Sequence, residues 1–142
     1  MNQFARYSLA ALLLFAADRV QLMNAQEVKP QEPKVAGDAE RGKYIVESVA
    51  MCERCHSPRN EAGMPDATRR LAGAPILQPV PGWASYAPRL AGTPPGTDEE
   101  FIRLLTTGIS RTGRPPRQPM PSFRMTPQDA AAVLAYLKSL RK

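Results

Sequence analysis

The stretch Met51-Cys52-Glu53-Arg54-Cys55-His56-Ser57-Pro58 contains both cysteines and the single histidine of a 142-residue chain. Two residues separate the thiols, and the imidazole follows the second thiol at once, so one turn of chain can present two sulfurs and a nitrogen together. The more familiar uses of such a pair fail on the rest of the sequence. A zinc site wants four ligands, adjacent Cys and His do not easily bind one ion, and no other thiol or imidazole exists to complete the set. A thioredoxin-like dithiol needs a βαβ setting, and no convincing alternating strand pattern occurs anywhere in the chain. A plain disulfide leaves His56 unexplained.

C-x-x-C-H is, however, the attachment sequence for c-type haem. The spacing lets Cys52 and Cys55 reach the two vinyl groups on one edge of a porphyrin, and His56 then lies under the iron as one axial ligand. One motif predicts one covalently bound haem. With no second histidine, the soft ligand left for the other face is methionine, and Met51, Met64, Met120 and Met125 are the candidates outside the first 25 residues. Met51 abuts the attachment turn, and Met64 lies only eight residues beyond His56. Met120 stands between Pro119 and Pro121, which stiffen the loop and lower the entropy lost when a weak iron–thioether bond closes it. Met120 is therefore the expected distal ligand. Met125 is the alternative, although it directly precedes a helix cap and is better placed to pack beneath that helix.

Around this motif the elements are helical. Asp38 is a good N-cap for a helix over 39–50, with Gly42, Ile45, Val46 and Val49 on one stripe, which delivers the chain into Cys52. Thr97 and Glu100 form a capping box for a second helix, which carries acid in its first turn and ends at Gly108. The last helix opens with Thr126 as cap and Pro127 at its first position, and Val133, Leu134, Leu137 and Leu140 share one face. The forty residues between His56 and Thr97 are rich in Pro and Gly and hold a near-repeat, Arg70-Leu-Ala-Gly-Ala-Pro75 and Arg89-Leu-Ala-Gly-Thr-Pro94. A loop of that length is exceptional in a compact domain unless it wraps something, and a haem supplies that something. Aromatic residues make up only 6% of the chain, so a protein-only core would be poor in large packing groups. The fold class expected is all-α, a small helical domain around one haem with long Pro/Gly-rich loops.

Residues 1–25 read as an export signal. Arg6 precedes an apolar run from Leu9 to Ala17, far shorter than the roughly 20 residues a membrane span requires, and Ala25 is the best cleavage position. Residues 26–37 read as a solvated linker and 38–142 as the folded domain. These features place the protein in the periplasm or otherwise outside the cytoplasm, with no stable membrane span.

The order of these pieces resembles the class I c-type cytochromes: a helix, C-x-x-C-H, a Pro/Leu/Gly loop, a middle helix, a proline-flanked methionine, and a last helix bearing Ala135-Tyr136-Leu137. The match runs from about Asp38 to Leu140. The segment Trp83-Ala-Ser-Tyr-Ala-Pro-Arg-Leu-Ala-Gly92, with Thr106-Thr107-Gly108 and Met120-Pro-Ser-Phe123, is similar to single-haem bacterial members that serve dehydrogenases. The resemblance implies thioethers at Cys52 and Cys55, a proximal ligand in His56 and a distal one in Met120. It implies that the Pro88 carbonyl accepts a hydrogen bond from the second ring nitrogen of His56, that Leu90 lies against the haem, and that Tyr136 approaches Gly42. Trp83, Tyr86 and Arg89 are the candidate propionate partners. The segment from Pro58 to Trp83 is longer than in the family's small members.

The function expected is that of an electron carrier and not an enzyme, either soluble or the cytochrome subunit of an exported oxidoreductase. Iron held by imidazole and thioether keeps no open position for a small ligand; the alternative is a haem enzyme or gas sensor with a labile methionine. Charge suggests the partner. Without residues 1–25 the chain carries 17 basic and 12 acidic side chains, and from Phe101 onward the balance is 8 to 1. Arg111, Arg114, Arg117 and Arg124 flank Met120, which predicts docking to an acidic face on a redox partner, a dehydrogenase or a terminal oxidase. Export disfavours nucleic acid as a partner.

Overall fold

The computed structural model describes residues 37–77 and 80–140. The expected export signal, and all of the expected linker except Gly37, lie outside the described residues. The described residues form four α-helices, α1 over Ala39–Tyr44, α2 over Glu53–His56, α3 over Asp98–Thr107 and α4 over Pro127–Ser139, and the last three of these border a cleft. Two-residue strands β1 (Ala74–Pro75) and β2 (Tyr86–Ala87) pair antiparallel, with Ala74 opposite Ala87.

Local chemistry starts and stops these helices where the sequence predicts. The Asp38 carboxylate accepts from the Glu40 and Arg41 N–H groups at the head of α1. Thr97 and Glu100 cap α3 reciprocally, and Gly108 closes it in the left-handed conformation, φ 66°, that glycine adopts without penalty. The Thr126 hydroxyl accepts from the Asp129 N–H at the head of α4, with Pro127 in the first turn.

The first helix departs from expectation. α1 passes directly into one π-helical turn, Ile45–Val49, in which the Ala50 N–H reaches the Ile45 carbonyl at 2.7 Å. The wider winding slows the rotation per residue, so Val49 leaves the stripe and is 56% exposed while Gly42, Ile45 and Val46 stay buried. Its geometric benefit is local: the Cys52 N–H can reach back to the Val46 carbonyl at 3.0 Å, which ties the attachment turn to the helix before it.

The core forms where α1 crosses α4. Gly42 sits against the Ala132 carbonyl and the Tyr136 Cβ, leaving no room for a side chain. Ile45, Val46, Leu134 and Leu137 pack around this crossing, and Phe101 and Leu105 of α3 join from the side. Only two aromatic rings, Phe101 and Tyr136, are buried in the cluster, and burying an aliphatic side chain stabilises by about 1.5–3 kcal/mol. Among the described residues no helix is long and apolar enough to cross a membrane.

Candidate haem site

The Cys52 N–H bond to Val46 and the short α2 hold the two thiols and the imidazole in one turn. Glu53–His56 is a single helical turn in which the His56 N–H donates to the Cys52 carbonyl at 2.9 Å. Met51, just before it, adopts a left-handed backbone with φ 48°, a conformation that costs a non-glycine residue energy and redirects the chain into the turn. No disulfide joins Cys52 and Cys55, which leaves both sulfurs available for thioethers. Before attachment, burial pushes the Cys52 thiol up to about 11.

His56 is buried, and its Nδ1 lies 2.7 Å from the carbonyl oxygen of Pro88. Burial lowers the imidazole pKa and the Pro88 bond partly opposes that, so the ring is neutral at pH 7. A neutral ring whose Nδ1–H is spent on a carbonyl keeps its lone pair on Nε2, which is the tautomer a metal requires.

A cleft of about 520 Å³ opens over this imidazole. Cys52, Cys55, His56, Pro88, Leu90 and Met120, the six residues singled out in the sequence, all line it. Further walls come from Phe101 and Leu105 of α3 and Val133 and Leu137 of α4, with Ile76 and Tyr86 from the two segments that carry the β pair. A smaller cavity of about 150 Å³ shares His56, Pro88, Leu90 and Met120. The size falls in the range of ligand pockets, about 300–1,000 Å³, and the lining is mostly hydrophobic, as a flat macrocycle with an apolar face requires. Thiols at one edge, a neutral imidazole beneath and a thioether on the same lining fit a c-type haem.

Of the other candidates, Met125 also lines the cleft, but its N–H is bonded to the Leu105 carbonyl and its side chain packs against the core. Met64 lies away from the cleft and is 61% exposed. Among the propionate candidates only Tyr86 is on the lining. Arg89 directs Nε to the Ala91 carbonyl, and the Trp83 carbonyl accepts from Arg117. Sequence reasoning left out the Phe101 and Leu105 walls, although their i, i+4 spacing on a capped helix was a usable signal. It also left out Ser57 and Leu71, for which no local signal exists.

Comparison with known proteins points the same way. Residues 39–141 match the family model described as Cytochrome c. The chain is 48% identical over 109 residues to a diheme cytochrome c-type protein of Cereibacter sphaeroides, covering 75% of this chain and 37% of that one. It is 31% identical over 113 residues to the fructose dehydrogenase cytochrome subunit of Gluconobacter japonicus, covering 72% and 22%. A nicotinate dehydrogenase subunit of Pseudomonas putida is 30% identical over 135 residues, covering 89% of this chain and 11% of that protein. The chain thus spans well under half the length of each of these relatives.

Proposed function

Because the chain belongs to the cytochrome c family, and so is an electron-transfer protein with covalently bound haem c, we propose that His56 and Met120 are the two axial ligands and that its partner is an exported oxidoreductase. It works either as a soluble carrier or as that enzyme's cytochrome subunit. The observation that carries the reading is the buried imidazole, bonded through Nδ1 to Pro88 and lining one cleft with Met120.

The haem supplies a one-electron ferric/ferrous couple. The protein's own residues make that couple serviceable. The Pro88 carbonyl orients His56 and raises the donor strength of Nε2. Pro119 and Pro121 stiffen the loop bearing Met120, so a weak sulfur ligand is held against competing small molecules. Leu90, Phe101 and Val133 give the cleft apolar walls, which would limit the solvent reorganisation that accompanies each change of charge on a bound haem.

The partner side of the proposal rests on Arg111, Arg114, Arg117 and Arg124. All four are exposed, and none makes an ion pair among the described residues. Arg111 and Arg117 border the cleft itself. A rim of uncompensated positive charge suits a partner that presents carboxylates there. The names of two relatives, both subunits of dehydrogenases, support a dehydrogenase as that partner. The apolar run at Leu9–Ala17 supports export to the periplasm, with 1–25 as signal, 26–37 as linker and 38–142 as the haem domain.

Carbon monoxide tests the ligand assignment. Ferrous wild-type protein should refuse the gas and retain its haem in acidified acetone, whereas Met120→Ala should bind carbon monoxide and show a lower midpoint potential. Met125→Ala should stay closed to the gas and lose only packing, about 2–5 kcal/mol for a well-buried methionine and less for this half-buried one. Loss of the axial thioether in the Met125 variant instead would exchange the two assignments.

A further inference from the structure

The near-repeat Arg70-Leu-Ala-Gly73 and Arg89-Leu-Ala-Gly92 pairs with itself in space. The Leu71 carbonyl accepts from both the Leu90 N–H, at 2.9 Å, and the Ala91 N–H, at 3.1 Å. Just beyond, Ala74 stands opposite Ala87 in the β pair. A Cβ on Gly73, whose φ is +84°, would meet the Arg89 nitrogen and the Tyr86 hydroxyl at 2.9 Å, so the two turns touch backbone to backbone.

The first turn also grips the attachment motif from several sides. The Gly73 N–H donates to the His56 carbonyl at 2.8 Å. The Leu71 N–H donates to Oγ of Ser57, the residue after the proximal histidine, at 2.8 Å, and Ser57 is 1% exposed. The Arg70 guanidinium bonds Glu53, which lies between the two cysteines, and Glu47 on the π turn. Leu71 is fully buried yet left-handed, with φ 55°. A leucine held in that conformation is strained and persists only where its surroundings over-determine it. Those surroundings are the contacts just named.

One turn therefore joins the two ends of the His56–Pro88 hydrogen bond: it holds His56 and Ser57 on one side, and the backbone immediately after Pro88 on the other. We propose that residues 70–73 act as a positioning clamp that sets the geometry of that bond, with Ser57 as the anchoring residue, and so set the donor strength of the proximal ligand and the midpoint potential. The proposal rests on His56 being that ligand. Its logic is that of an outer-shell partner acting one step further out: a shorter, straighter bond at Nδ1 makes Nε2 the better donor and favours ferric iron.

The test uses the haem-loaded protein and two measurements, solvent exchange of the His56 Nδ1 proton by NMR in the reduced state, and the midpoint potential. Ser57→Ala deprives the buried Leu71 N–H of its acceptor and should speed the exchange about tenfold and move the potential upward. Ser57→Thr, which keeps the hydroxyl, should restore both. Leu134→Ala weakens the core without bordering the cleft, and should lower the melting temperature while leaving both readings in place. Unchanged exchange and potential in Ser57→Ala, or equal changes in Leu134→Ala, overturn the clamp. Should Ser57→Ala fail to accumulate with haem, Arg70→Gln loosens the same turn from Glu53 and Glu47 and is held to the same two outcomes. A wild-type reduced protein whose His56 ring protons lack the large upfield shifts of an imidazole bound to haem iron would instead overturn His56 as the ligand.

Discussion

Tyr136 shows how one hydroxyl can connect the helix crossing to the attachment turn. Its Oη donates to Glu47 at 2.6 Å, and Glu47 in turn receives Arg70. Burial, and then the carboxylate beside it, push the phenol from 10.0 up to about 12. The same hydrogen bond is the main reason the Glu47 carboxyl is held below its ordinary value. A phenol whose pKa is raised on folding stabilises the protein fully below 10 and loses that contribution as pH climbs toward about 12. Tyr136→Phe should therefore cost about 1–2 kcal/mol at neutral pH, the scale of one hydrogen bond to a partly exposed charge. The gap between the two proteins should close as pH rises through that window. Denaturant unfolding of both proteins across neutral and alkaline pH measures it; a gap that stays constant to the alkaline limit would mean the phenol ionises without consequence for folding.

At the scale of elements, the contact that positions everything else is α1 against α4. Gly42 allows the Ala132 carbonyl and Tyr136 to approach the α1 backbone directly, and Arg41 spans the same crossing to Asp129 at 2.9 Å on the exposed side. An exposed ion pair of this kind contributes little, so the crossing depends on backbone proximity and apolar packing. Gly42→Ala gains helix propensity of about 1 kcal/mol yet forces a Cβ into a carbonyl, and overpacking of a close contact costs about 1–3 kcal/mol. Since α1 runs through the π turn into Cys52, that displacement should lower both the melting temperature and the fraction of chains carrying haem, read from the haem-to-protein absorbance ratio. An unchanged melting temperature would show that α1 can slide along α4 without penalty.

Over the whole molecule, charge is divided along the chain: 9 basic and 11 acidic side chains in 26–100, against 8 and 1 in 101–142. The basic part contains the loop that bears Met120, so positive charge lies beside the cleft. Arg117 also donates to the Trp83 carbonyl and Arg111 borders the cleft, which leaves Arg114 as the cleanest probe of charge alone. Arg114→Glu should slow electron transfer with the native partner at low ionic strength and reduce its salt dependence, with the absorption spectrum unchanged, because steering acts over about 8 Å at physiological salt and is screened above it. Stopped-flow rates at several salt concentrations measure this, and rates indifferent to both salt and the reversal would place the contact surface elsewhere.

What the sequence determined by itself is what short-range chemistry specifies. Cys52, Cys55 and His56 fall within one turn wherever that turn goes, so the haem chemistry was legible before any fold was known. The caps at Asp38, Thr97 and Thr126, and the glycine stop at Gly108, were legible for the same reason: each donor finds its acceptor within a few residues. The tertiary structure alone decided the contacts that close over long stretches of chain. The hydrogen bond of His56 to Pro88 joins residues 32 apart, and the resemblance named Pro88 where no local rule could. The R-L-A-G near-repeat was visible as a pattern, but that its two copies bond to each other and to Ser57 was not, because Pro and Gly specify how a loop turns and not what it turns toward. The π turn at Ile45–Val49 belongs here too. Hydrophobic spacing sees one amphipathic helix over 39–50, whereas the wider turn lets the Cys52 N–H reach the Val46 carbonyl while Gly42 stays against α4, and the second of these contacts lies far away in sequence.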